Sequence, residues 1–406
     1  MDAGTIQKHL AELTRFPDRH VGGEGNRAAT AYFARIAQAH GWTVRRSRFP
    51  CIEWTFGSAS VEVANENFDF QVGPYSLPID AAGPLAAAST VEEIEAGGVA
   101  GSVLLLHGAV ASGQLMPKNF TFYNPAEHKR IVAAIESAAP AAVIAATGRD
   151  PYLVGSQYPF PLFEDGDFDI PNGYLKDAEG ERLLACLGST AVIRIDSRRV
   201  PTAAEHVVAT LPGQGAGRIV VSAHIDSRKG SPGALDNATG VATLLGLAAI
   251  LGRSGPRPGP TVELVPFNGE DNYANPGELI WEAENQGRFD DIVLGINIDD
   301  SGQVDSENHV SFYGCPPAIE AAVRGAMTGY DRTSEGPQWN QGDHAIMGIH
   351  HVPAIAIASS KMLEFMERYA HSERDTLDLA DPGLVAAAAR FVADIVEAVS
   401  RASMLS

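Results

Sequence analysis

With 406 residues, 45% of them hydrophobic and 20% charged, the chain is too long for one small core and suits two domains or one large domain carrying an insertion. Fifty acidic against thirty basic side chains give a formal charge of −20, which argues against a phosphate backbone or an anionic membrane surface as partner. Cys51, Cys186 and Cys315 are odd in number and far apart, so no disulfide framework is expected. No apolar run is read as reaching the roughly 18–20 residues that span a bilayer. The N-terminus, Met1-Asp-Ala-Gly-Thr-Ile-Gln-Lys-His, lacks the basic and apolar regions of a signal peptide, so a cytoplasmic location is expected, although a mature form with its leader removed reads the same way.

Residues 5–15 have helical periodicity through Ile6, Leu10 and Leu13. The cluster Gly22-Gly23-Glu24-Gly25 is followed by no Lys-Ser/Thr pair and preceded by no strand, so it reads as a turn opening a helix rather than a phosphate loop. That helix carries Ala29, Tyr32, Phe33 and Ile36 on one face and stops at Gly41; residues 42–49 then alternate as a strand. From about Cys51 to Val200 the texture changes to short strands (60–63, 68–72, 103–106) with Pro/Gly punctuation, and a helical stretch at 126–137 between apolar runs makes a β-α-β pattern. Within this region Asp165-Gly-Asp-Phe-Asp169 lacks the terminal Glu of a calcium loop and reads as a solvated acidic turn.

The chemistry gathers in the second half. An apolar strand at 219–223 ends in His224-Ile-Asp226, and residues two apart on extended chain point the same way, so the Asp226 carboxylate is expected to accept from one ring nitrogen while the other faces a metal. Arg228 and Lys229 follow, read as solvated unless they receive a substrate carboxylate; Asp236 then opens a turn before a helix over 239–251. Strands at 261–267 and 292–298 end in Glu270-Asp271 and Asp299-Asp300, and His371 stands near the C-terminus. Apolar strands that end repeatedly in acid or histidine are not a packing pattern, because each such group needs a partner. A shared metal supplies one. Further strands at 310–313 and 354–358, a helix at 317–327 and a closing helix at 382–402 complete an alternating α/β pattern; His350 and His351 are read as surface residues, not ligands.

His224-x-Asp226, Gly233-Ala-x-Asp236-Asn-x-Thr-Gly240, Glu270-Asp271, Asn297-Ile-Asp299 and His371-Ser-x-x-Asp375-Thr376 resemble, in order, the motifs of the di-zinc aminopeptidases, family 28 of the metallopeptidases. The resemblance covers about 205 to the end, together with 16–49. It implies a three-layer α/β/α core with a mostly parallel, mixed sheet, formed by residues 1–50 and 201–406, with 51–200 as a β-rich insertion resembling a protease-associated domain that walls the cleft or mediates a homodimer. It also implies two Zn²⁺, one on His224 and Asp299, the other on Asp271 and His371, bridged by Asp236, with Glu270 as general base and Asp226 supporting His224. Two Zn²⁺ facing three carboxylates, two neutral imidazoles and a hydroxide balance in charge. A cis peptide between Asp236 and Asn237 is expected.

The segment Trp339-Asn-Gln-Gly-Asp343-His344 resembles the family's Ser-Asp-His loop with Gly in place of Ser, which makes Asp343 a candidate for a contact to substrate or behind the site. Trp339 and Tyr369 are candidates for a side-chain pocket, although simple packing accounts for them equally. The expected activity is removal of N-terminal residues from peptides. The alternatives are a carboxypeptidase or amidohydrolase of the same clan using Arg228, a single-zinc glutaminyl cyclase, and a non-catalytic receptor-like module.

Overall fold

The computed structural model describes all residues except 17, 121–123, 151–154, 253–257, 275–276 and 404–406. The chain divides into two compact units: Met1–Pro50, Ala203–Asn272 and Pro276–Ser406 form one, and Cys51–Thr202 with Tyr273–Asn275 the other.

In the first unit four nearly continuous apolar runs, Arg218–His224, Thr261–Phe267, Ile292–Ile298 and Ala354–Ser359, are buried almost throughout, as strands covered on both faces must be. They pair in parallel in the order Ala354–Ser359, Ile292–Ile298, Arg218–His224, Thr261–Phe267. Antiparallel neighbours extend the sheet, Asn308–Tyr313 beside Ala354–Ser359 and residues 209–211 beside Thr261–Phe267, so the sheet is mixed. Side chains alternate across it. Ile219, Val221, Leu264 and Ile296 lie in a core shared with the helices Ala3–Arg15, Glu24–Ala39, Thr239–Leu251 and Pro382–Ser403. On the opposite pleat Phe267 meets Trp281 of Gly277–Asn285 edge to face, ring centroids 5.3 Å apart, and Gly295 abuts Met347 of His344–Ile349. The result is an α/β/α arrangement around a mixed sheet.

The helix Thr239–Leu251 is buried at every position except Ile250, as its uniformly apolar surface requires. Residues 234–251 are long and apolar enough to cross a membrane by length and composition, with a mean hydropathy of 1.5, which corrects the reading that no such run exists. With 94% of the run buried inside the fold, it is a core helix.

The register of the parallel strands brings their carboxyl ends to one edge. His224 sits opposite Phe267, and Ser222 opposite Asn297, so the loops after three strands leave the sheet side by side, where open α/β sheets bind their ligands.

In the second unit Ile79–Ala88, Val103–Leu106, Ala142–Thr147 and Asn172–Lys176 run parallel, with Phe70–Val72 antiparallel beyond Asn172–Lys176 and residues 190–195 antiparallel beside Ile79–Ala88. Leu104, Leu106, Val143 and Ala145 face one apolar cluster and Val103, Leu105, Ala142 and Ile144 another, so both faces are covered. The acidic turn at 165–169 is solvated at Asp167 and Asp169, as expected, but not at Asp165. Asp165 is buried and accepts from the Lys118 and Asp167 backbone N–H groups, both at 2.8 Å, while Asp169 pairs with Arg199 at 2.6 Å. Its acids close the loop.

Gly240 shows how closely the buried helix approaches the site: a Cβ there would stand 2.3 Å from Asn237 Oδ1 and 2.6 Å from the Ile298 carbonyl oxygen. Gly240→Ala is therefore expected to destabilise the chain by about 1–3 kcal/mol through overpacking. Gly325→Ala, in the helix Pro317–Met327 with nothing within 4 Å of its added methyl, should instead gain up to about 1 kcal/mol from helix propensity. Urea unfolding of both variants checks the contrast, and equal midpoints would contradict it.

Candidate metal centre

Five side chains remote from one another in sequence converge at the sheet edge, and Asp236 stands between the two histidines. Its Oδ1 lies 3.1 Å from His224 Nε2 and its Oδ2 lies 3.2 Å from His371 Nε2. Asp299 Oδ1 approaches His224 Nε2 at 3.2 Å, and Asp271 Oδ1 approaches His371 Nε2 at 3.0 Å. The halves thus assort as His224 with Asp299 and His371 with Asp271, sharing Asp236. Glu270 stands beside them, Oε2 4.0 Å from His224 Nε2, with 18% of its side chain exposed where those of Asp236, Asp271 and Asp299 are 7, 3 and 9% exposed. It alone among these acids looks outward. Donor atoms of His224, Asp236 and Asp271 lie within 4.8 Å of one another, as do those of Asp236, Asp299 and Asp300.

The loops are tied together by residues that touch backbone. Asp375, four residues after His371, accepts from the N–H groups of Leu235 (2.8 Å) and Asp236 (3.1 Å). Asn237 donates to the Ile298 carbonyl at 2.8 Å and accepts from Gly240 N–H at 2.8 Å, which fixes the Asp236 turn to the strand that delivers Asp299. The peptide bond between Asp236 and Asn237 is cis. Arg19, 1% exposed, donates to the carbonyls of Ile225 (3.0 Å), Pro232 (2.7 Å) and Gly233 (2.8 Å), clamping both ends of the loop between His224 and Asp236. Gly233 has φ 59°, and a Cβ there would meet Asp236 O at 2.5 Å and Arg19 Nη2 at 2.6 Å, so the clamp admits no side chain.

Asp226 does not support His224 in the expected way. His224 Nδ1 lies 3.2 Å from the Asp226 backbone carbonyl and 3.9 Å from its carboxylate. The carboxylate turns instead to two donors on the neighbouring loop, Gly269 N–H at 3.0 Å and Asn272 Nδ2 at 2.6 Å. One ring N–H is satisfied by the carbonyl, and a carboxylate with four lone-pair sites gains more from two donors. His224 is still fixed with Nε2 toward Asp236 and Asp299.

The electrostatics call for cations. Burial would pull His224 down, yet Asp299, Asp236 and Glu270 carry it well above the ordinary imidazole range. Burial likewise opposes His371, but Asp271 and Asp236 raise it to about 10. Burial would push Asp236 up, and the two histidines hold it below the usual carboxylate range instead. Burial, with Asp299 and Asp271 adding to it and His224 opposing, pushes Glu270 well up, and burial pushes Asp226 to about 6. Among the described residues, buried Asp271 Oδ2 and Asp300 Oδ1 meet no hydrogen-bond donor. Carboxylate and imidazole donors with unused buried lone pairs suit Zn²⁺, and the two donor groups fit a two-zinc centre.

The other residues singled out in the sequence divide. Arg228 is 5% exposed rather than solvated, and Lys229 lies 3.4 Å from Asp18. Trp339 is fixed by its carbonyl, which accepts from Tyr313 OH (2.6 Å) and His344 Nε2 (2.9 Å), and its ring neighbours Gly342, whose added Cβ would be 3.3 Å from Asp299 Oδ2. Tyr369 packs beside Phe365 and Ala370 near Leu235. Asp343 is wholly buried and meets the Glu278 carboxyl; burial, reinforced by Glu278, pushes Asp343 well up, and burial raises Glu278 to about 7. His350 pairs with Glu282 at 2.7 Å, away from the centre. Sequence reasoning missed Arg19 and Glu278, and quoted Asp300 and Asp375 without a role.

The sequence model of peptidase family M28 matches residues 206–396. Among solved structures, the aminopeptidase from Aneurinibacillus sp. strain AM-1 is 18% identical with a TM-score of 0.77, covering 97% of this chain and 93% of its own. A zinc aminopeptidase from Bacillus subtilis is 18% identical with a TM-score of 0.74, covering 99% and 95%. The glutaminyl cyclase of Porphyromonas gingivalis is 14% identical with a TM-score of 0.53, covering 98% of each chain. No curated protein matches the sequence. Residues 206–396 therefore carry the pattern of peptidase family M28, on a chain with the fold of the di-zinc-type aminopeptidases and with donor groups for two zinc ions.

Proposed function

We propose that this protein is a zinc metallo-exopeptidase that hydrolyses the N-terminal peptide bond of peptides. The observation that carries the reading is Asp236, which offers one oxygen to each histidine half. In this reading His224, Asp299 and Asp236 hold one zinc, and Asp271, His371 and Asp236 the other. Bound there, the pair would lower the pKa of a shared water and polarise the scissile carbonyl.

The remaining steps belong to the protein. Glu270, the outward-facing acid, takes the proton from the attacking water and returns it to the departing amine. The acids around Glu270 and Asp299 receive the substrate's free α-ammonium, which favours an exopeptidase acting from the N-terminus. Trp339, immobilised beside Gly342 and Asp299, borders the side chain of the first residue, with Tyr369 contributing to the same wall; Asp343, wholly buried against Glu278, braces its loop rather than touching substrate. The second unit is read as a protease-associated-like insertion, a candidate surface for a homodimer.

Glu270→Gln should keep two zincs per chain and lose about 10²- to 10⁴-fold in kcat on amino-acid anilides, assayed alongside metal analysis. Unchanged turnover would remove Glu270 as base. Asp236→Ala should lose both metals; full zinc content and activity in that variant would refute the bridge.

Zinc binding should also release protons. In the metal-free chain the folded value of His371, about 10, lies above the ordinary imidazole value of about 6.5, so its proton stabilises the fold fully below pH 6.5 and that contribution fades as pH rises toward 10. Zinc must displace this proton and that of His224, so apparent affinity should rise with pH across this window. Calorimetric titration at pH 7 in buffers of different ionisation enthalpy should show about two protons released per chain from the imidazoles and about one more where the shared water ionises; no release would contradict the site.

A further inference from the structure

We propose that Asp300 is a further metal ligand, adding a third carboxylate to the cation held by His224, Asp299 and Asp236; the inference rests on the two-metal reading above. Asp300 follows Asp299 where the strand Ile292–Ile298 leaves the sheet edge. Oxygens of Asp236, Asp299 and Asp300 lie within 4.8 Å of one another, close enough to share one ion. Asp300 is 7% exposed, and its Oδ1 is buried with no hydrogen-bond partner among the described residues. Its main-chain carbonyl accepts from Ser359 N–H at 3.0 Å, so backbone contacts fix where the carboxylate sits.

A buried anionic oxygen with no donor needs a cation or a proton. Asp236, Asp271, Asp299 and a hydroxide already balance two divalent ions in formal charge, so an ionised Asp300 has to face a cation directly for the burial of its oxygen to be offset. Within the coordination sphere, Asp300 makes the two metal positions unequal. The His224 side holds one nitrogen and three carboxylates, and the His371 side one nitrogen and two. Extra oxygen donors raise the coordination number and bind the ion more tightly on the His224 side.

The test compares the wild-type chain with Asp300→Asn, which keeps shape and polarity but removes the anionic donor. Metal-free protein is titrated with Zn²⁺ against a chromophoric chelator and with Co²⁺ by visible absorption. Wild type is expected to fill two sites in sequence. Asp300→Asn should weaken the tighter site by at least about tenfold, leave the second unchanged, and raise the Co²⁺ absorption intensity as coordination number falls.

If Asp300 were instead a neutral acid donating to Asp299, the Asn amide would replace it, and unchanged affinities and spectra would overturn the proposal. Fewer than two ions in wild type would overturn the two-metal reading and this inference with it. Should Asp300→Asn fail to fold by circular dichroism, a zinc-loaded crystal structure of the wild type decides. An Asp300 oxygen at about 2.0–2.2 Å from the metal supports the assignment, and a carboxylate turned away overturns it.

Discussion

One carboxylate faces two histidines that stand 147 positions apart in the chain, and nearly every feature of the catalytic unit bears on keeping it there. Asp236 sits in a turn between a strand and a helix, a place where backbone ordinarily relaxes toward solvent. Here the turn has no such freedom. Asp375 accepts its amides from one side, Asn237 anchors it to the Ile298 carbonyl from another, and the Arg19 guanidinium holds the carbonyls that precede it. These partners come from the N-terminal segment, the strand that delivers Asp299 and the loop that delivers His371. The same hydrogen bonds that position the Asp236 carboxylate also fix the spacing of the two halves.

What was legible in the sequence follows from local physics. Thr261–Phe267, Ile292–Ile298, Pro317–Met327 and Thr239–Leu251 have the boundaries their periodicity implies, because apolar pattern and punctuation there agree with burial. Histidine and acid at strand ends were legible for the same reason: a charged group directly after a buried strand needs a partner. The identities of the partners were not. Arg19 lies more than two hundred residues from the carbonyls it holds, and nothing in its neighbourhood marks it, since it contacts only main chain. Asp226 shows the limit of a geometric rule. Alternation along a strand placed it on the side of His224, but the extended chain ends at His224, and two donors on the next loop turned the carboxylate away. The strand Thr190–Leu211, 22 residues long, was invisible because its Arg- and Ala-rich stretches lack sustained alternation.

The buried acids of this unit are sorted by what neutralises them. Asp375 is met by backbone amides, Asp226 by an amide and an asparagine, Asp236 by two imidazoles, and Glu278 with Asp343 by each other. The last pairing needs a proton, since two carboxylates offer only acceptors. Among the described residues Asp271 Oδ2 and Asp300 Oδ1 have no hydrogen-bond donor. The sorting separates acids met by protein groups from these two oxygens at the metal centre.

That separation bears on stability as well as chemistry. Without metal, two buried imidazoles must carry protons to offset the surrounding carboxylates, and each positive charge is itself costly to bury. Cations that bind only the folded state stabilise it by mass action, and here they also relieve repulsion among acids that no hydrogen bond compensates. The catalytic unit is thus built with a deficit of positive charge at the sheet edge where its loops meet. The sheet and its buried helix hold the strand ends in register whether or not the deficit is filled, because their apolar contacts do not depend on it. The loops do depend on it, since their carboxylates are held close together by backbone contacts from remote segments. Metal occupancy should therefore matter most for the order of the loops and least for the sheet, which places the coupling between metal and fold in the segments that would touch substrate.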